Sequence, residues 1–312
     1  MSERSYVFLF PGQGSQSARM GEDFHAAYPA ARAVFERADE LLGRDLSALI
    51  FAGPMKEVER TATLQPAIAA VNAAVLAVLE EHGVAPSATA GHSLGEYSAV
   101  HAAGAVSFEK LMGLVSRRGR LMDEAASARP GGMVAVIGLD EAGLRPVVDQ
   151  AAAAGVVCVA NLNSPEQVVL SGEQAALEEA ARLAVAAGAK RIVYLPVSGA
   201  WHSPLMGAAS ESFEEVLSEV DFDDARISVY CNVSARPTRQ ASELRTLLAR
   251  QILAPVRWEE SMRAMIDDHP DSTFVEVGPG RVLMGLALRI DRRCRVVNVD
   301  SVRALEKFLS KI

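Results

Sequence analysis

Ser93 stands inside Gly91-His92-Ser93-Leu94-Gly95, a G-x-S-x-G pentapeptide between the apolar run Ala88-Thr89-Ala90 and the helix-compatible stretch Tyr97 to Ala103. A serine on a tight strand-to-helix turn presents its hydroxyl as a nucleophile, and flanking glycines let neighbouring backbone approach without a Cβ clash. The free N–H groups of the following helix can then face a developing oxyanion. The same five residues also describe an ordinary turn. A nucleophile reading therefore needs a base, oxyanion donors and a group that reads the substrate.

Six histidines are available. His25, His82, His101 and His269 fall in polar or helical surface contexts, and none pairs at metal-ligand spacing, so no metal is expected. His202 is the best candidate base. It precedes Ser203-Pro204, a capping hydroxyl followed by a first-turn proline, which holds it just before a helix. A loop histidine is also a common structural residue, so the position alone leaves both roles open. Arg118 is the third chemical residue: on a helix predicted from Ser107 to about Ala126, it shares a stripe with Leu111, Leu114, Val115, Leu121 and Met122. A cation on a buried face requires a partner, so a carboxylate or phosphate is predicted beside it, in a structural salt bridge or in a ligand.

The elements that would position these residues follow an α/β order. Tyr6 to Phe10 reads as a buried strand running into the glycine loop Pro11-Gly12-Gln13-Gly14-Ser15-Gln16. That loop lacks both the phosphate-loop pattern and the third glycine of a dinucleotide fingerprint, but it offers backbone N–H groups near Gln13. Helical spacing covers Glu22 to Gly43, broken by Pro29, and Gln65 to Glu81. Ala88 to Gly91 returns as a strand and delivers Ser93 at its carboxyl end, where open α/β sheets place their ligands. Ile227 to Val233 and Thr273 to Val277 read as further strands, the latter ending in Gly278-Pro279-Gly280.

Between Gly132 and Val197 the rhythm changes to strand 133–137, helix 141–154, strand 156–162, strand 167–170, helix 173–187 and strand 191–197. That βαββαβ order predicts a ferredoxin-like small subdomain over 129–198, inserted in a large α/β domain made of 1–128 and 199–312. A cleft is expected between the two parts.

A chain of 312 residues, half of them hydrophobic, can bury a sizeable core. The apolar segment Pro66 to Leu79 reads as too short to cross a bilayer, and Met1 to Phe10 shows no export signal, so a cytoplasmic protein without a membrane partner is expected. Cys158, Cys231 and Cys294 form no C-x-x-C pair, which fits a reducing compartment. A formal charge of −8 and the lack of a basic run with aromatics argue against nucleic acid.

Five ordered motifs converge on one family. Phe10 to Gln16, Gly91 to Ala99, Trp201-His202-Ser203-Pro204-Leu205-Met206, Gln251 to Trp258 and Val277 to Gly280 together resemble the malonyl-CoA:acyl carrier protein transacylases, over a span from about Tyr6 to Gly285. The resemblance implies a hydrolase-like large domain with a parallel sheet and a ferredoxin-like insert. It implies that Ser93 attacks the thioester of malonyl-CoA, that His202 takes its proton, and that acyl carrier protein receives the malonyl group, with no cofactor. The carbonyl of Gln251 would orient His202 where a hydrolase would use an acid. The N–H groups of Gln13 and Leu94 would form the oxyanion hole, Arg118 would bind the malonyl carboxylate, and Gln65 and Asn161 would line the cleft.

Trp201 departs from the phenylalanine or serine common before the base in related polyketide acyltransferases, and its bulk predicts malonyl over methylmalonyl. An acidic carrier would need a basic surface, for which Lys190, Arg191, Arg281, Arg289, Arg292 and Arg293 are candidates. A serine hydrolase, a non-enzymatic carrier-docking protein and a discrete acyltransferase serving a polyketide synthase are the competing readings.

Overall fold

The computed structural model describes residues 5–312, so Met1 to Arg4, at the start of the segment scanned for an export signal, lie outside the described residues. Ten strands are present among the described residues: β1 Tyr6–Phe10, β2 Ala88–Gly91, β3 Gly132–Ile137, β4 Val157–Ser164, β5 Gln167–Gly172, β6 Arg191–Tyr194, β7 Ser228–Tyr230, β8 Pro237–Thr238, β9 Thr273–Val277 and β10 Val296–Val299. They form two sheets. The larger has the order β10-β9-β1-β2-β7-β8, parallel except for β8. Because β1, β2, β7 and β9 run the same way, the segments after Phe10, Gly91, Tyr230 and Val277 all emerge at one edge.

The smaller sheet is antiparallel with the order β4-β5-β3-β6. With helices Glu141–Ala151 and Gln174–Ala186 between its strands, it is the ferredoxin-like βαββαβ arrangement. Leu144, Val147, Leu177 and Ala180 of these helices pack on Val134, Val136, Val168 and Leu170 in a core of their own.

The central element of the large core is the helix Thr61–Glu81, most of whose residues are buried. It is 21 residues long, which corrects the reading of this segment as too short to cross a bilayer; length and composition would allow a span. Its apolar surface is instead covered by protein, including the helix Phe108–Ala128, with which it packs extensively. Asn72 of the same helix donates to the Pro11 carbonyl at 3.1 Å and so ties down the loop that follows β1.

Some expected elements are shorter. The strand predicted from Ile227 to Val233 is ordered only as Ser228–Tyr230, because Asn232 turns away from the sheet and gives its amide to the buried carboxylate of Glu96. The strand predicted to Val197 stops at Tyr194, and Leu195 to Val197 line the cleft between the sheets. β10, three valines interrupted by Asn298, had no counterpart among the predicted strands.

Candidate active site

Ser93 lies just past the end of β2 with a left-handed backbone, φ +49°. A non-glycine residue in that region marks local strain, which the surroundings must hold. Asn232 does so: its Oδ1 accepts from the Ser93 N–H at 2.7 Å and its Nδ2 donates to the Gly91 carbonyl at 2.7 Å. The flanking glycines are sterically required. A side chain at Gly95 would run into the Phe10 carbonyl, and one at Gly91 into the Gly95 backbone. Helix Gly95–Ala102 can therefore start directly against β1.

The Ser93 Oγ is 2.8 Å from His202 Nε2. His202 Nδ1 faces two carbonyl oxygens, Gln251 at 2.9 Å and Ala254 at 3.1 Å. Carbonyls only accept, so the proton resides on Nδ1 and Nε2 is free to take the serine proton. Burial, reinforced by the positive charge of Arg118, pushes His202 down to about 3, which keeps the imidazole neutral.

Arg118 is fully buried, as its place in the helix stripe predicts, and of the two expected partners the structural salt bridge is not the one it uses. No ion pair among the described residues includes it. Its Nη1 donates to Gln65 Oε1 at 2.8 Å, and its Nη2 to Gln251 Oε1 at 3.0 Å and Ser93 Oγ at 3.2 Å. Its Cζ lies 5.3 Å from the centre of the Tyr97 ring, and its Nε has no hydrogen-bond partner. Two glutamine side chains from distant elements supply amide oxygens where a structural salt bridge would have placed a carboxylate.

A cleft of about 560 Å³ opens beside Ser93 and His202 and is also lined by Gln13, Met133, Asn161 and Trp201. Gln65 is completely buried behind this lining, where its Nε2 donates to Gln13 Oε1 at 3.2 Å. It therefore touches the cleft lining through Gln13, where direct lining was anticipated. None of the hydrogen bonds among the described residues uses the backbone N–H of Gln13 or Leu94, whereas the Ser93 N–H is engaged by Asn232. A larger groove of about 890 Å³, between helices Gly207–Ser218 and Ala241–Gln251, holds no nucleophile–base pair, so size does not locate the chemistry.

Three polar groups of this network escaped the sequence reading. Glu96, Asn232 and His92 all contact the serine turn or its supports, and His92 Nε2 pairs with Asn163 Oδ1 of β4 at 2.8 Å. The recurrence of Asn161 and Asn163 at a period of two on one strand is the signal that could have exposed the last contact. Of the basic residues suggested for a carrier surface, Lys190, Arg281 and Arg293 are ion-paired with Glu166, Asp300 and Asp291, and Arg289 donates to Gln167.

Comparison with known proteins gives the family of the chain. Residues 7–290 match the acyl transferase domain family. The malonyl CoA-acyl carrier protein transacylase of Bacillus subtilis (strain 168) is 44% identical over 301 residues, 96% of this chain and 95% of that protein. Its counterpart in Haemophilus influenzae is 40% identical over 311 residues, 98% and 99% of the two chains. Among solved structures, a malonyl-transacylase in complex with its holo type II PKS acyl-carrier protein superposes with a TM-score of 0.94 at 38% identity, covering 99% of this chain and 100% of that one. Near-complete coverage at such identities leaves one assignment: the chain belongs to the acyl transferase family, among the malonyl CoA-acyl carrier protein transacylases.

Proposed function

We propose that this enzyme transfers the malonyl group of malonyl-CoA to the phosphopantetheine thiol of acyl carrier protein through a malonyl ester on Ser93. The observation that carries the reading is the unpaired, buried guanidinium of Arg118 hydrogen-bonded to the nucleophile. A planar fork of donors fits a carboxylate, and its placement beside the serine suits an acyl group bearing one at its far end.

In the first half-reaction His202 Nε2 takes the Ser93 proton as Oγ attacks the thioester carbonyl. The oxyanion is received by the amides of Gln13 and Leu94, the latter at the start of helix Gly95–Ala102. Collapse expels the CoA thiolate, which takes the proton back from His202, and leaves the ester. The second half-reaction is the mirror image, with the carrier thiol giving its proton to His202 and attacking the ester. Gln251 orients the base through its carbonyl, Gln65 and Asn161 shape the site, and Trp201 limits its width. Chain segments 1–128 and 199–312 act as the nucleophile-bearing domain and 129–198 as the lid-like ferredoxin subdomain. The reaction belongs in the cytoplasm, supplying fatty acid elongation; supply of a polyketide synthase is the second reading, favoured by the complex with a type II PKS carrier.

Incubation with radiolabelled malonyl-CoA and holo acyl carrier protein tests this. Label should pass to the carrier, and intact-mass analysis should show a malonyl adduct that Ser93→Ala abolishes. Release of free malonate without carrier labelling would instead indicate a hydrolase, and no adduct on the wild type would indicate a docking protein.

A further inference from the structure

Glu96 lies in the first turn of helix Gly95–Ala102 with its carboxylate fully buried. Its contacts are donors. Oε1 accepts from the Asn232 amide at 3.2 Å and Oε2 accepts from Gln251 Nε2 at 2.5 Å. These two partners lead to the two working groups of the site. Asn232 clamps the strained turn at Ser93. Gln251 donates Nε2 to the Ser93 carbonyl at 2.9 Å and turns Oε1 toward Arg118 Nη2. Reversing that amide would set donor against donor at Arg118 and acceptor against acceptor at Glu96.

We propose that Glu96 is a positioning residue, holding the Gln251 amide in the orientation that offers oxygen to Arg118 and serving as the buried counter-charge that an acyl carboxylate supplants. The proposal rests on the reading of Arg118 as the group that receives that carboxylate. The charged and titratable groups facing Glu96 are Arg118 from helix Phe108–Ala128, Tyr97 from its own helix, and Cys231 from the segment after β7. Burial raises Glu96 to about 7, against the pull of its donors and of Arg118. A second carboxylate on the same guanidinium raises the proton affinity of Glu96 further. Loading with malonyl is thus favoured by a protonated Glu96 and declines as the pH rises through about 7, while loading with uncharged acetyl does not share the decline.

The test is Glu96→Gln beside Arg118→Ala, each checked for folding by thermal melting, with acylation of Ser93 by malonyl-CoA and acetyl-CoA followed across neutral pH. In Glu96→Gln, neutral at every pH as protonated Glu96 is, the malonyl-to-acetyl ratio of kcat/KM should keep its acidic wild-type value, so that near pH 8 it exceeds the wild type by up to roughly tenfold. The alkaline decline specific to malonyl should be absent from this variant. Equal losses with both thioesters, or a ratio that follows the wild-type pH profile in the folded variant, overturn the proposal. Should the variant not fold, the wild-type profiles decide, because a malonyl-to-acetyl ratio independent of pH across neutrality also overturns it. Loss of malonyl preference in Arg118→Ala together with an unaltered wild-type pH profile in Glu96→Gln removes Glu96 alone. Its retention in Arg118→Ala removes the reading of the arginine as well.

Discussion

Arg118 Nη2 and Ser93 Oγ are hydrogen-bonded at 3.2 Å in a part of the molecule where no carboxylate pairs with the guanidinium. A buried cation without an ion pair is costly, and the cost is offset by two amide oxygens, the Tyr97 ring and, one amide away, Glu96. Such a site is set in advance for an anion. The same positive charge also stabilises negative charge developing on Ser93 Oγ, so one side chain serves both substrate choice and nucleophile activation.

That charge has a measurable effect on the base. Because burial and Arg118 lower His202 from its ordinary value to about 3, the free enzyme keeps a neutral imidazole throughout mildly acidic solution. With acetyl-CoA, which brings no carboxylate, Ser93 acylation should stay level between about pH 8 and pH 5, where an ordinary histidine would lose its base form near pH 6.5. The sign for stability follows from the same shift. A lowered folded-state value means that His202 favours the fold above its unfolded value, and that this contribution disappears as pH falls toward 3. Stopped-flow release of CoA across this range checks the kinetic half, and an acid limb centred near 6.5 would contradict it.

What the sequence revealed follows from the range of the interactions involved. Ser93 and Arg118 announce themselves locally, one by its glycine-flanked turn and the other by a polar intrusion in a helical stripe of period 3.6. His202 and Gln251 needed the resemblance to a family, since a single loop histidine or glutamine has no periodic signature. Glu96 was invisible because an acid in the first turn of a helix is usually a solvated partner of the helix dipole, and only the tertiary structure buries it. Asn232 was hidden inside an expected strand. Its contacts with Gly91, Ser93 and Glu96 span more than 130 residues, and no local pattern reports such a separation.

Trp201 bears on acyl size. The indole is nearly buried, lines the cleft beside His202, and rests its far edge on Gly199. Trp201→Ser should raise the methylmalonyl-to-malonyl ratio of kcat/KM by roughly ten- to a hundredfold, the range one methyl group commands in a shaped pocket. Loss of a buried aromatic also costs on the order of 3–5 kcal/mol, so the melting temperature should drop in the same variant. A destabilised variant with an unchanged ratio would show that the ring supports the fold and does not gauge the acyl group.

Glu276 gives a prediction about stability that is independent of catalysis. Its two carboxylate oxygens accept the amides of Leu283 and Met284, each at 2.9 Å, and so cap the start of helix Val282–Ile290 from the end of β9. Burial, with Asp300 acting in the same direction, raises it to about 7 despite those amides. A folded-state value above the unfolded one means that the fold prefers the protonated acid. Its favourable contribution is complete below about pH 4.5 and is lost as pH rises through about 7. Glu276→Gln keeps one acceptor for the helix amides and removes the titration. The variant should lose about 1 kcal/mol for the surrendered hydrogen bond at any pH. Between about pH 5 and pH 8 it should recover up to about 3 kcal/mol relative to the wild type, because only the wild type must then bury a charge. Urea midpoints at the two pH values measure the difference directly. If the gap between variant and wild type is the same at both, the carboxylate is already ionised at the lower pH and the two helix amides outweigh its burial.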